Sequence, residues 1–342
     1  MNPIFRSCFK LFLLASLIGW TMSPTAGLAK NTPPPAARDV QPEHVILVVF
    51  EGVGQESLKG GSMPVVGRLV KDGSVTWSAT AVNPPLQLPT MASLLTGMPV
   101  EKHGITWNSF DFIRGYPRPP TLFDYLDLSG GKDSAIFFMD EAMYQLAKPE
   151  PYTDYQMCGP MKPECSTATV VGYIRDYFRK ATSGHGHGHA ILSLPHVLVV
   201  HLPEPARAGA AQGWNSKAYR DALKTVDAAV GSILDLYREL KLLPRTTVMV
   251  TSLSGIGEEK PGGNGHRTED ALPRVPWIAS GAGIKAGHVI KQPVSRLDTG
   301  ATMLRTFGLE THTEWESRPV EEIFRASRPA RPDHDETTAK QP

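Results

Sequence analysis

The chain has 342 residues, with 35 Lys and Arg against 34 Asp and Glu, a net charge of +1 and 41% hydrophobic residues. With 20% charged residues of balanced sign, it has neither the basic excess of a nucleic-acid binder nor an acidic tail. The length suits one large core or two smaller ones.

Residues 1–29 read as a cleavable secretory signal. Arg6 and Lys10 give a positive start, Leu11 to Met22 form a short apolar run, and Gly27 and Ala29 supply small residues at the −3 and −1 positions. That run falls short of the ~20 residues a spanning helix needs, so cleavage is expected rather than anchoring. Cys8 lies upstream of the apolar run and so is no lipid-modified cysteine at the cleavage point. No later stretch approaches spanning length, and the mature chain is expected to be soluble and exported, in a periplasm or outside the cell.

Residues 30–43 contain Pro33-Pro34-Pro35 and read as a solvated linker. Val45 to Phe50 is continuous and β-branched, as a strand buried on both faces should be. Val65 to Val70 suits a helix closed by Lys71-Asp72-Gly73. Ala135 to Met139, Val197 to Leu202 and Thr247 to Thr251 read as further buried strands. Between the last two, Ala222, Val226, Ala229, Val230, Ile233, Leu234 and Tyr237 recur at helical steps and predict a helix from Ser216 to Leu242. Residues 326–342 form a polar tail expected to be disordered. Strands alternating with helices predict an α/β fold, a mostly parallel sheet with helices on both faces. Ligands sit at the carboxyl ends of the strands in such sheets, which selects the loops after Phe50, Leu202 and Thr251.

Cys158 and Cys165, close together around Gly159 and Pro160, are expected to form a local disulfide in an oxidising compartment. Thiolate metal binding competes with that reading but lacks further ligands nearby. His185, His187 and His189 alternate with glycines and can chelate a soft metal weakly, as a surface tract.

The loop after Phe50 begins Glu51-Gly52. Residues 81–97 run from a Pro-rich turn into Ala92-Ser93-Leu94-Leu95-Thr96-Gly97, with His103-Gly104-Ile105 beyond. A turn of this kind presents backbone N–H groups at a helix start, which suits an anion. With Pro203 to Ala210, Val250 to Gly255, Pro276 to Lys285 and a final helix around Leu297 to Leu309, these segments resemble the nucleotide pyrophosphatase/phosphodiesterase branch of the alkaline phosphatase superfamily. The resemblance covers most of residues 44–310. It implies that superfamily's α/β fold and leaves residues 110–190, which match least, as an expected cap or insertion.

The resemblance also implies a phosphodiester hydrolase with two zinc ions. Carried across by position, the first-strand Asp falls on Glu51 and the nucleophile on Gln87, whose amide cannot attack phosphorus. The Asp and His of the middle loop fall on Ala206 and Ala210, the later Asp-His pair on Leu253 and Ser254, and the late His on His266. Catalytic zinc normally takes three protein ligands, and each site here keeps one donor, Glu51 or His266. No cofactor is therefore expected, although active relatives use zinc. Glu51 can equally cap its loop, and His266 can be a solvated loop histidine. Thr90 reads more readily as a helix-start hydroxyl than as a substitute nucleophile.

Thr90, Asn108 and Arg207 remain as candidates for holding an anion, Arg207 because a fixed positive charge can partly replace a lost cation. The expected function is that of a non-catalytic binding or scaffold module for an anionic, phosphate-bearing small molecule or protein partner. The alternative is a metal-dependent phosphoester or sulfate ester hydrolase with a site rebuilt from Glu51, His266, His103 or the His185–His189 tract.

Overall fold

A computed structural model describes residues 41–111, 113–117, 120–146, 153–157, 165–183, 193–256 and 274–325. In chain order the elements are β1 (His44–Phe50), α1 (Gln55–Lys59), α2 (Pro64–Lys71), β2 (Gly73–Thr80), α3 (Gln87–Thr96), α4 (Val100–His103), α5 (Leu122–Gly130) and β3 (Ser134–Phe138). There follow β4 (Thr153–Met157), α6 (Thr167–Ser183), β5 (Val197–Leu202), α7 (Glu204–Gln212), α8 (Lys217–Glu239), β6 (Thr246–Ser252), β7 (Arg274–Gly281), β8 (His288–Val289) and α9 (Asp298–Thr306).

The strands form one sheet in the order β4-β3-β5-β1-β6-β7-β2-β8. β1 pairs in parallel with β5 and β6, and β3 in parallel with β5 and β4, while β7 runs antiparallel to β6 and β2. Every residue of β1 is buried, as its uninterrupted apolar run requires when helices cover both faces. The two-residue alternation of the strand then divides the core. Val45, Leu47 and Val49 pack with Leu88, Met91 and Leu95 of α3, Phe123 of α5 and Met303 of α9. Ile46, Val48 and Phe50 pack on the other side with Val66 of α2, Ile174 and Phe178 of α6, and Val226, Val230 and Tyr237 of α8.

The apolar stripe expected from Ser216 to Leu242 is α8. Ser216 is its N-cap, its hydroxyl accepting from the Tyr219 N–H at 3.1 Å. The expected helix over Val65 to Val70 is α2, but Gly73 does not close it. Asp72 is the C-cap and Gly73 opens β2, where an added Cβ would meet the Ala279 carbonyl oxygen at 2.2 Å. Gly73 is therefore a packing glycine.

For residues 110–190 the expectation is a cap or insertion. They supply β3 and β4 to the sheet and α6 to its outer layer. The apolar run of β3 pairs beside β5, and β4 pairs beside β3. Residues 1–40, the polar tail 326–342, the His185–His189 tract, His266 and Cys158 lie outside the described residues, so the disulfide with Cys165, the signal and the tail remain expectations. Among the described residues no helix is long and apolar enough to cross a membrane.

Candidate functional site

The carboxyl ends of β1, β5 and β6 are joined by backbone hydrogen bonds. The Leu253 N–H donates to the Phe50 carbonyl at 2.7 Å, and the Ala206 N–H to the Glu51 carbonyl at 3.1 Å. The Gly52 N–H donates to the Ser254 hydroxyl at 2.9 Å, and the Tyr219 hydroxyl to the Gly52 carbonyl at 2.8 Å. Gly52 has φ 70°, and an added Cβ would lie 2.7 Å from the Ala206 Cα. Only glycine lets β1 turn this tightly under α7. Glu51, Ala206, Leu253 and Ser254 are thus neighbours around a single turn.

Glu51 is 4% exposed and its carboxylate faces two partners. Oε1 lies 2.7 Å from His201 Nε2, and Oε2 accepts from Gln87 Nε2 at a long 3.4 Å. The Gln87 carbonyl oxygen in turn accepts from Asn108 Nδ2, and Asn108 Oδ1 accepts the Leu88 N–H at 2.8 Å. Gln87 opens α3, so Asn108 caps the first turn of that helix from outside. The result is a continuous polar chain, Asn108–Gln87–Glu51–His201, running from the surface into the core.

His201 is the member that the sequence does not announce. It is fully buried on β5, opposite Val49, and its ring lies 6.3 Å from that of Phe138. Its neighbours Val200 and Leu202 face the α8 side of the sheet, so alternation turns His201 toward the α3 side, as it does Glu51. The available signal was one imidazole within an otherwise aliphatic buried strand, a placement that demands a hydrogen-bonding partner.

The remaining candidates are distributed differently. Thr90 is fully buried in α3, and its hydroxyl has no partner within the described structure. It is not on the surface an anion would reach. Arg207 is exposed on α7 and donates to the Met139 carbonyl at 2.7 Å, bracing the end of β3. Ala210 is exposed on the same helix. His103 is buried and its Nε2 lies 2.9 Å from the Ser93 hydroxyl, while Nδ1 accepts the Ile105 N–H at 3.1 Å. Burial pulls its pKa down to about 4. It holds the turn after α4 and does not join the polar chain. Behind Leu253, the buried Arg296 guanidinium donates to the carbonyls of Ser252, at 2.9 Å, and Leu253.

Among the described residues, the donors at the positions the resemblance assigns do not fit a zinc pair. Ala206 and Leu253 offer no donor, the Ser254 hydroxyl receives the Gly52 N–H, and the Glu51 carboxylate is held by His201 and Gln87. Among the described residues, no group of three or more His, Cys, Asp or Glu side chains is arranged to hold a metal ion.

The family model for type I phosphodiesterase/nucleotide pyrophosphatase matches residues 45–301. Rat steryl-sulfatase is 33% identical over 138 residues, 36% of this chain and 23% of that protein. Human ectonucleotide pyrophosphatase/phosphodiesterase family member 1 is 26% identical over 222 residues, 61% of this chain and 23% of that protein. The chain thus spans less than a quarter of the length of these two relatives. Murine ectonucleotide pyrophosphatase/phosphodiesterase 5, solved in an inactive form with AMP, superimposes with a TM-score of 0.62 at 14% identity, covering 83% of this chain and 100% of that one. The matched span runs from β1 to α9 and takes in every strand of the sheet: the chain belongs to the type I phosphodiesterase/nucleotide pyrophosphatase family of the alkaline phosphatase superfamily.

Proposed function

We propose that this is an exported, catalytically silent member of its family that binds an anionic, phosphate-bearing ligand or partner at the carboxyl end of the sheet. The observation that carries the reading is the polar chain. At Gln87, where the resemblance puts the nucleophile, stands an amide hydrogen-bonded on both sides, to Glu51 and to Asn108. An amide neither attacks phosphorus nor gives up a proton as a nucleophile must. The acidic residue beside it is engaged by His201 on one oxygen and by that amide on the other. What supports anion binding is the exposed Asn108 amide beside the amino-terminal, positive end of the α3 dipole. Arg207 contributes positive charge near Ala206 while tied to Met139. Export, and a Cys158–Cys165 disulfide formed there, belong to the same proposal and rest on residues 1–29 and the cysteine spacing.

The test is joint. Zinc content of the purified protein is measured together with turnover of a generic phosphodiester, a phosphomonoester and a sulfate ester. Metal-free protein without turnover, stabilised against heat by a phosphorylated compound, is the expected result. Stoichiometric zinc with turnover above background overturns the proposal in favour of a hydrolase with a rebuilt site.

A further inference from the structure

The amino-terminal edge of the sheet carries a second feature, separated from Glu51 by the length of β1, about 3.3 Å per residue over seven residues. There the start of β1 and the loops leading into β3, β5 and β6 enclose, with the end of α9, a cleft of about 580 Å³. Glu43, His44, Lys132, His196, Arg245 and Phe307 line it. Two are permanent cations and two are imidazoles, set against the Glu43 carboxylate in the lining and the Asp133 carboxylate 3.8 Å from His196 Nδ1.

The contacts define what each group still has to offer. Arg245 pairs with Glu43, the Lys132 ammonium lies 5.1 Å from the Phe307 ring centroid, and the His44 and His196 rings stack at 6.0 Å. His44 Nδ1–H donates to the Pro195 carbonyl at 2.9 Å, so its Nε2 becomes a donor only on protonation. His196 is arranged the opposite way. Its Nδ1 accepts the Asp133 N–H at 3.1 Å, which places the proton of the neutral ring on Nε2. His196 is therefore a hydrogen-bond donor even when uncharged. Burial, and then the nearby Lys132 ammonium, hold its pKa below the usual histidine range; His44 acts in the same direction, and Asp133 and Glu43 oppose it.

We propose that this cleft is a second ligand site, taking a small phosphate-bearing anion between Lys132, His196 and Arg245. Three donors from three different loops suit the three terminal oxygens of a phosphate, whereas a carboxylate has two oxygens and one charge to share among them. The volume lies within the range of small-molecule sites and exceeds an inorganic ion, so the phosphate would sit on an organic group lying near the faces of Phe307 and the stacked imidazoles. An anion here stabilises the imidazolium of His196, so binding raises that residue's pKa.

The experiment titrates inorganic phosphate into the full chain and follows the ring resonances of His44 and His196 by NMR. Saturable shifts of both, with an upward move of the His196 titration, are expected. Lys132→Met and His196→Gln should each weaken binding about tenfold, the worth of one charge-assisted hydrogen bond, with Lys132→Arg restoring it. Unchanged thermal unfolding shows that the variants fold. Asn108→Ala, at the other edge of the sheet, should leave this titration as it is, so the outcome is independent of the function proposed for that edge. Resonances that do not move with phosphate, that move equally in Lys132→Met, or that respond as strongly to acetate would overturn the assignment.

Discussion

The Glu51–His201 pair allows a sharp test of the polar chain. Both side chains are almost wholly removed from water, and their 2.7 Å contact is the shortest that Glu51 makes to another side chain. In His201→Leu the imidazole is replaced by a side chain of similar bulk, and Glu51 is left with the 3.4 Å contact to Gln87. Removing one partner of a buried hydrogen bond leaves the other group unsatisfied and costs about 1–3 kcal/mol. That is a large share of the ~5–15 kcal/mol that stabilises a typical domain. Replacing both partners by apolar groups, as in Glu51→Met with His201→Leu, should recover much of the loss, since apolar replacements of buried pairs are often close to neutral. Urea unfolding monitored by circular dichroism reads the difference, with the slope of free energy on denaturant held constant as the check that only stability changed. A single His201→Leu cost below about 1 kcal/mol would refute the coupling. So would a double variant that loses the sum of the two single losses, since interacting neighbours do not add.

Other consequences are independent of that pair. His103 has its pKa lowered by burial to about 4, against about 6.5 unfolded, so the native state favours the neutral ring. Its stabilisation is complete above the unfolded value and is lost as pH falls from about 6.5 toward 4, by roughly 3 kcal/mol in all. His103→Asn should flatten that part of the stability–pH profile, and an unaltered profile would exclude the assignment. Gly52→Ala must place a Cβ 2.7 Å from the Ala206 Cα at a positive φ. A loss of at least about 2 kcal/mol is expected in thermal or urea unfolding, and a neutral substitution would contradict the close approach of β1 and α7. Buried Gln145 accepts from Trp107 Nε1 at 3.0 Å and the Asp111 N–H at 3.2 Å, and donates to the carbonyls of Asp111, at 2.7 Å, and Gly115. Gln145→Leu should accelerate hydrogen exchange across residues 107–115 while leaving β1 protected; uniform exchange in both segments would argue against a locally pinned loop. Asn108→Ala removes the external cap of α3 and should cost about 1 kcal/mol, read by the same unfolding curves.

The sequence alone determined the parallel core. Val45 to Phe50, Val197 to Leu202 and the stripe of α8 are recognisable because burial on two faces or on one helical face leaves a local record in residue order. It also placed Glu51, Ala206, Leu253 and Ser254 at equivalent strand ends, since each follows a recognisable strand or segment. The strands β2, β4, β7 and β8 were not separately legible, and the stretch 110–190 looked like an addition to the fold. Edge pairing depends on which distant strand lies alongside, and no short-range pattern encodes it. The same limit hid His201. Its significance lies in a carboxylate 150 positions away that becomes its neighbour only when β1 and β5 pair. The cleft at the opposite edge is likewise a product of tertiary structure, for Lys132, His196 and Arg245 are unremarkable loop residues until β3, β5, β1 and β6 begin side by side. Residue order specified which strands are buried; only their lateral pairing decided which polar groups meet.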